Sequence, residues 1–198
     1  HTLDKLGYEV LAVEKDSRRV QQFSVRIPVV EADASSMEAL NQLGARDFYS
    51  AVVGIGSSLE ASVLITANLV DIGMTNIWAK AISREHSRIL RRIGAQHVVA
   101  PEFDAGQRTA HLVGGRMIDY IEMDKDGFAI MKLRPPKEVC GFTLSELDLR
   151  GRYGVNVLGI LSPGAPFEYA DATTRINRED TIVVSGDTRL LEYFANRP

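Results

Sequence analysis

Glu14, Asp33, the loop Gly54 to Ser58, and Lys80 are the positions in this 198-residue chain whose types and spacing bear most directly on chemistry. Glu14 closes the apolar run Tyr8 to Glu14 and is followed by Lys15-Asp16 and a helical pattern. At the carboxyl end of a buried parallel strand, two acceptor oxygens match the vicinal diol of a ribose; a solvated strand-end acid would read the same way. Asp33 follows the next run, Pro28 to Glu31, at the same edge. There it reaches either an adenine amino group or the N-terminus of a helix beginning at Ser36. Gly54-Ile55-Gly56-Ser57-Ser58 follows the third run and opens a long helix, and its small residues let a ligand approach backbone N–H groups. A plain tight turn has the same composition. Lys80 ends the fourth run, placed for a phosphate or ribose, or simply for solvent. Open α/β sheets bind ligands outside the carboxyl ends of their strands, so four such features on one edge point to a nucleotide pocket.

Catalytic constellations are weaker. His1, His86, His97 and His111 lack metal-ligand spacing, and the sequence holds no Gly-x-Ser-x-Gly elbow, Cys-His pair or Walker A loop. His97, inside an apolar run, is expected to pack against the sheet. Arg84, Arg88, Arg91 and Arg92 share one helix face, read as a solvated or interface face because acidic neighbours such as Glu85 argue against nucleic acid. Lys plus Arg number 23 against 26 Asp plus Glu, a net charge of −3, with 45% hydrophobic residues. These values exclude a disordered tail, a collagen and a basic nucleic-acid arm. The longest uncharged run, Tyr153 to Phe167, is 15 residues and is broken by Gly and Pro; a membrane span needs about 20 mostly apolar residues. The single Cys140 permits neither an internal disulfide nor a thiolate cluster, which points to a reducing compartment, the cytoplasm.

These positions depend on the elements that hold them. Strands are expected at Tyr8 to Glu14, Pro28 to Glu31, Ala51 to Ile55, Asn76 to Ala79 and Gln96 to Ala100, each near-continuously apolar as strands buried on both faces are. Helices are expected between them at Ser17 to Phe23, Ser36 to Leu43, Ser58 to Ile72 and Arg84 to Ile93, several ending at Gly44, Gly73 or Gly94. The alternation defines a doubly wound α/β lobe over residues 1–115. The glycine fingerprint of such a lobe lies some 20 residues upstream of its strand-end acid. The first strand and the glycine loop are therefore missing from this sequence, and His1 to Leu6 reads as the tail of the first helix. A helix from Glu102 to about Gly114 leads to a linker, 116–136. There Ile118 to Met123 and Phe128 to Leu133 flank an Asp-Gly turn at Lys125-Asp126-Gly127. A small α+β lobe follows over 137–198, with a helix at Thr143 to Leu147, strands at Asn156 to Leu161 and Thr181 to Ser185, and a last helix at Thr188 to Phe194. It is too small to bury a large core by itself.

The chain resembles the RCK domain proteins of the KtrA/TrkA family, regulatory subunits of bacterial potassium uptake. The resemblance rests on GYEVLAVEKDSRRV (7–20), VVEADASS (29–36), AVVGIGSSLEASVLITANLVDIGMTNIWAKA (51–81), ILRRIGAQHVVAPEFDAGQRTAHLV (89–113), LSELDLRGRYGVNVLGI (144–160) and INREDTIVVSGDTRLLEYF (176–194). It implies a Rossmann-like TrkA-N lobe that binds ATP, ADP or NAD(H), and a TrkA-C lobe that in KtrA-like members binds cyclic di-AMP. It further implies a homodimer assembling into an octameric ring on the cytoplasmic face of a membrane-embedded potassium-translocating subunit, without enzymatic activity and without nucleic acid. Carried over by position, Glu14 holds the ribose, Asp16 and Asp33 flank the adenosine, Gly56 and Ser57 line the pocket, and Lys80 approaches ribose or phosphates. Glu102 corresponds to a glutamate that helps bind a divalent cation, Mg2+ or Ca2+, at a dimer interface. Arg150 corresponds to a position lining the cyclic dinucleotide site between two C-terminal lobes. The sequence departs from the family in lacking the glycine loop and in carrying Glu14 where many relatives carry Asp. Three other readings remain at this stage: the RCK part of a ligand-gated channel or another transporter's regulator, a nicotinamide-dependent oxidoreductase, and an oligomerisation module. The oxidoreductase reading is disfavoured by the lack of any histidine from Ile118 to Pro198.

Overall fold

The computed structural model describes residues 2–113, 116–123 and 127–198. They form two compact units, the first ending at Glu102 and the second running Phe103–Pro198. In the first, strands β1 (Ala12–Glu14), β2 (Val29–Glu31), β3 (Ala51–Val53), β4 (Ile77–Lys80) and β5 (His97–Val99) alternate with helices. These are α1 (Thr2–Lys5), α2 (Ser17–Phe23), α3 (Met37–Gln42), α4 (Leu59–Asp71) and α5 (Arg84–Ile93). Every strand pairing here is parallel, with Glu14 opposite Glu31, Val53 opposite Ala79, and Lys80 opposite Val99. Helices start where a side chain accepts a first-turn N–H: Asp16 for α2, Ser36 for α3, Ser58 for α4 and Ser83 for α5.

The five strands fall into two sheets, β1-β2 and β3-β4-β5, not hydrogen-bonded to each other. In the doubly wound order the first strand is central, between the strands that are β1 and β3 here. Among the described residues β1 pairs only with β2, and β3 only with β4, in ladders of three residues each. Only the last three residues of the run Tyr8 to Glu14 join a ladder. The inner face of β3-β4-β5 supplies Val53, Ile77 and Ala79 to a core closed by Leu69 and Leu90 of α4 and α5. On the other face Val52, Trp78 and His97 stand in register and exposed, with the His97 ring stacked on Trp78 at 4.0 Å. His97 does pack against the sheet, on its open side.

Helix α6 (Pro101–Leu112) leads into the second unit. It is followed by β6 (Met117–Glu122), β7 (Phe128–Leu133), a 3-10 turn at Lys137–Val139, α7 (Leu144–Leu147) and α8 (Leu149–Tyr153). Then come β8 (Asn156–Leu161), β9 (Phe167–Tyr169), β10 (Thr181–Asp187) and α9 (Thr188–Ala195). The strands form one antiparallel sheet in the order β6-β7-β10-β8-β9. Met131, Leu133, Ile182, Val184, Leu191 and Phe194 are completely buried at its centre. His111 of α6 stacks on Tyr120 of β6 at 4.2 Å and lies 2.8 Å from the Glu192 carboxylate of α9, so the helix is tied to sheet and final helix together. Residues 125 and 126 of the expected Asp-Gly turn, Gly114 at the expected end of α6, and the expected lobe boundary at 115 lie outside the described residues. The ladder that the turn was expected to connect is present, with Tyr120 opposite Met131.

Candidate functional site

The carboxyl edge of the first unit is built by local chemistry. The chain turns sharply from β1 into α2, which aims the Lys15 and Asp16 N–H groups back at Glu14; both donate to its Oε1, at 2.9 and 3.0 Å. Its other oxygen lies 3.6 Å from Arg19 Nη1, leaving the carboxylate fixed in direction and partly open. Asp16 is used as a cap, accepting from Arg18 N–H at 2.9 Å. Ser17 Oγ donates to Glu31 at 2.6 Å, joining β2 to the same edge, a contact that no spacing in the sequence signals. Beyond β2, Asp33 accepts from the backbone N–H and hydroxyl of Ser35 at 2.9 and 2.6 Å. Those two donors hold its carboxyl below the usual range. The cap of α3 is Ser36, not Asp33, so Asp33 is not consumed by the helix.

The second sheet contributes the cation. Lys80, at the end of β4, lies under the loop after β3: a Cβ placed on Gly56 would stand 3.2 Å from Lys80 Nζ. Ser57 is exposed in that loop, and Ser58 caps the 13-residue α4. Lys80 Nζ also donates to Glu102 at the start of α6, and the ammonium holds the Glu102 carboxyl below its usual range. Gly56, Ser57, Lys80 and Glu102 thus cluster at one end of β3-β4-β5, while Glu14, Asp16 and Asp33 cluster at the corresponding end of β1-β2. The metal expectation for Glu102 meets a poor fit within one chain. Its neighbour is an ammonium, and no group of three His, Cys, Asp or Glu among the described residues could hold an ion.

Arg150 lies elsewhere, in α8 of the second unit. Its Nη2 donates to Asn156 Oδ1 at 2.9 Å, and both residues line an open groove of ≈ 300 Å³ together with Leu144, Asp148, Val155 and Asp171. Asp171 is locked by Thr173 and Thr174, whose N–H and hydroxyl groups all donate to its Oδ1. Asn156 and Asp171 escaped sequence reasoning. The Asp-x-Thr-Thr pattern was the available signal for the turn at Asp171, and nothing in the sequence brings it to Arg150. A guanidinium that already has a carbonyl-type acceptor and faces a groove is suited to hold a phosphate.

The chain thus joins a parallel α/β unit with acids and a lysine on its carboxyl edge to a small antiparallel α+β unit. The TrkA-N domain family matches residues 1–101 and the TrkA-C domain family residues 128–197. The chain is 32% identical to the Ktr system potassium uptake protein C of Bacillus subtilis, over 98% of this chain and 89% of that one. To the Ktr system potassium uptake protein A of the same organism it is 30% identical, over 98% and 88%. The chain belongs to the TrkA-N/TrkA-C family of RCK proteins that includes these potassium uptake proteins. Among solved structures, the GsuK RCK domain superposes with a TM-score of 0.68 at 18% identity, over 99% of this chain and 44% of that one. The GsuK channel bound to NAD superposes at 0.67 and 18%, over 99% and 36%. At that identity the likeness shows the fold alone, and this chain spans less than half of each.

Proposed function

We propose that this chain is a nucleotide-responsive regulatory subunit of potassium transport. The observation that carries the reading is the convergence of Glu14, Asp33, Gly56 and Lys80 on strand carboxyl ends in a chain that matches Ktr uptake proteins over nearly its whole length. Glu14 takes the ribose hydroxyls through its free oxygen, Asp33 the adenine side, and Lys80 the phosphates, exchanging Glu102 for a phosphoryl oxygen. ATP, ADP and NAD(H) share this chemistry, and an unphosphorylated ribose suits the Glu14 carboxylate. Arg150 and Asn156 take a phosphate of cyclic di-AMP in the second-unit groove. A divalent cation at Glu102 would need donors from outside this chain, such as a second copy.

No helix among the described residues is long and apolar enough to cross a membrane. In this reading ion translocation belongs to a membrane partner, on whose cytoplasmic face a homodimer or a ring of dimers of this chain docks. Its action on that partner is a conformational one: a ligand shifts the assembly only by the difference in its affinity for two states. Thermal unfolding with ATP, ADP, NADH and cyclic di-AMP, each near 100 times its dissociation constant, tests the binding claim; a ligand that binds only the folded state then contributes about 2.7 kcal/mol. A nucleotide shift that disappears in Glu14→Ala is the expected result. No shift with any of the four leaves an oligomerisation module as the better account.

A further inference from the structure

We propose that Arg197, Glu138 and Tyr153 form a clasp that sets the rotation of α8 and thereby holds Arg150 at the groove, a role that rests on the groove reading above. Glu138, on the 3-10 turn Lys137–Val139, accepts from the Tyr153 hydroxyl at 2.9 Å, from Arg197 Nη2 at 3.0 Å and from Arg197 Nε. Arg197 Nη1 donates to the Tyr193 hydroxyl at 2.9 Å, and the Lys137 N–H donates to the Pro198 carbonyl at 3.1 Å. The guanidinium groups of Arg152 and Arg197 each lie 5.2 Å from the centre of the Tyr153 ring, within cation–π range. Tyr153 is buried, and its ring packs on Phe194 at 5.4 Å.

The clasp matters to the groove because α8 has only five residues, too few to persist as an isolated helix. Asp148 caps its first turn, and its last residue is the tyrosine held by Glu138. Arg150 lies one turn from Tyr153, so a rotation of the helix that frees the tyrosine hydroxyl also moves the guanidinium away from Asn156. The segment 197–198 and the turn at 137–139 therefore become positioning elements for an anion-binding arginine. None of Arg197, Glu138 and Tyr153 lines the groove itself.

The test uses the full chain with Tyr153→Phe, which keeps the ring and removes the hydroxyl bond, and Glu138→Gln. Calorimetric titration with cyclic di-AMP is combined with amide hydrogen exchange at Arg152 and Gly154, whose N–H groups make helical bonds to Asp148 and Arg150. In both variants, exchange at these two amides is expected to accelerate by about tenfold and the dissociation constant to rise by a similar factor, while β7 and β10 keep their protection. Unchanged α8 exchange overturns the clasp, and so does acceleration spread evenly over the sheet, the mark of a merely structural role. If the wild-type chain does not bind cyclic di-AMP, the ligand reading falls. Selective loss of α8 protection in the variants would then still support the clasp, and its absence would still overturn it.

Discussion

Lys80 and Glu102 form a charge pair that is cheap to break, and the proposed phosphate role of Lys80 turns on that. The Glu102 side chain is 68% exposed, so solvent screens the pair and it adds little to stability. A phosphate can therefore take the ammonium from the carboxylate at small cost. Lys80→Met should leave the unfolding midpoint within a degree or two while weakening nucleotide binding by about tenfold or more, as loss of a charge-assisted hydrogen bond does; titration calorimetry reads the second quantity. His86 behaves in the opposite way. Its imidazole is completely buried, Nδ1 accepts from the Ile82 N–H at 3.3 Å, and burial pushes its pKa below the ordinary 6.5. The unfolded chain takes up the proton first as pH falls. The stability contributed by neutral His86 is thus fully present above about pH 6.5 and declines below it, toward the lower folded-state pKa, at up to about 1.4 kcal/mol per pH unit. Melting curves at pH 7.5 and 5.5 should show this decline in the wild type and a weaker one in His86→Leu.

At the level of elements, helix starts were legible because Ser and Asp side chains signal them locally. Ser17–Phe23 and Arg84–Ile93 coincide with the expected spans, as do strands Phe128–Leu133 and Asn156–Leu161. Among the elements that were not legible are α8 and β9. The five-residue α8 offers a single buried i, i+4 pair, Leu149 and Tyr153, around a central Gly151, and all three residues of β9 are exposed, so neither is long or periodic enough to stand out. β9 docks only because Gly159 is opposite it: a Cβ there would fall 2.2 Å from the Phe167 ring and 2.4 Å from the Glu168 carbonyl. The candidate site divides along the same line. Glu14 and Lys80 were readable from strand ends, whereas Ser17–Glu31, Arg150–Asn156 and the approach of Lys80 to Gly56 are made by tertiary packing between residues 6 to 24 positions apart. Asp187, which accepts from the Arg189 and Leu190 N–H groups, caps α9, whose Leu191 and Phe194 fill the second core. Asp187→Ala should cost about 1 kcal/mol, measured by denaturant unfolding of the second unit.

Over the whole molecule, the two units have separate cores and should report separately. Truncating the completely buried Phe194 to alanine should destabilise the second unit by about 3–5 kcal/mol and leave the first unit's transition in place. Differential scanning calorimetry of Phe194→Ala would show this as one displaced and one unmoved peak. The first unit has a division of its own. Its two parallel sheets share no ladder, yet Glu14 and Asp33 belong to one while Gly56 and Lys80 belong to the other. Asn68 of α4, donating to the Ser35 carbonyl at 2.7 Å, is one polar strut between the two halves. A nucleotide gripped at its ribose by the first sheet and at its phosphates by the second would act as a cross-brace. Both halves already share one core, in which Leu40 of α3 belongs with Ile65, Leu69 and Ile77, so such a ligand would be felt by the whole first unit rather than by one edge of it.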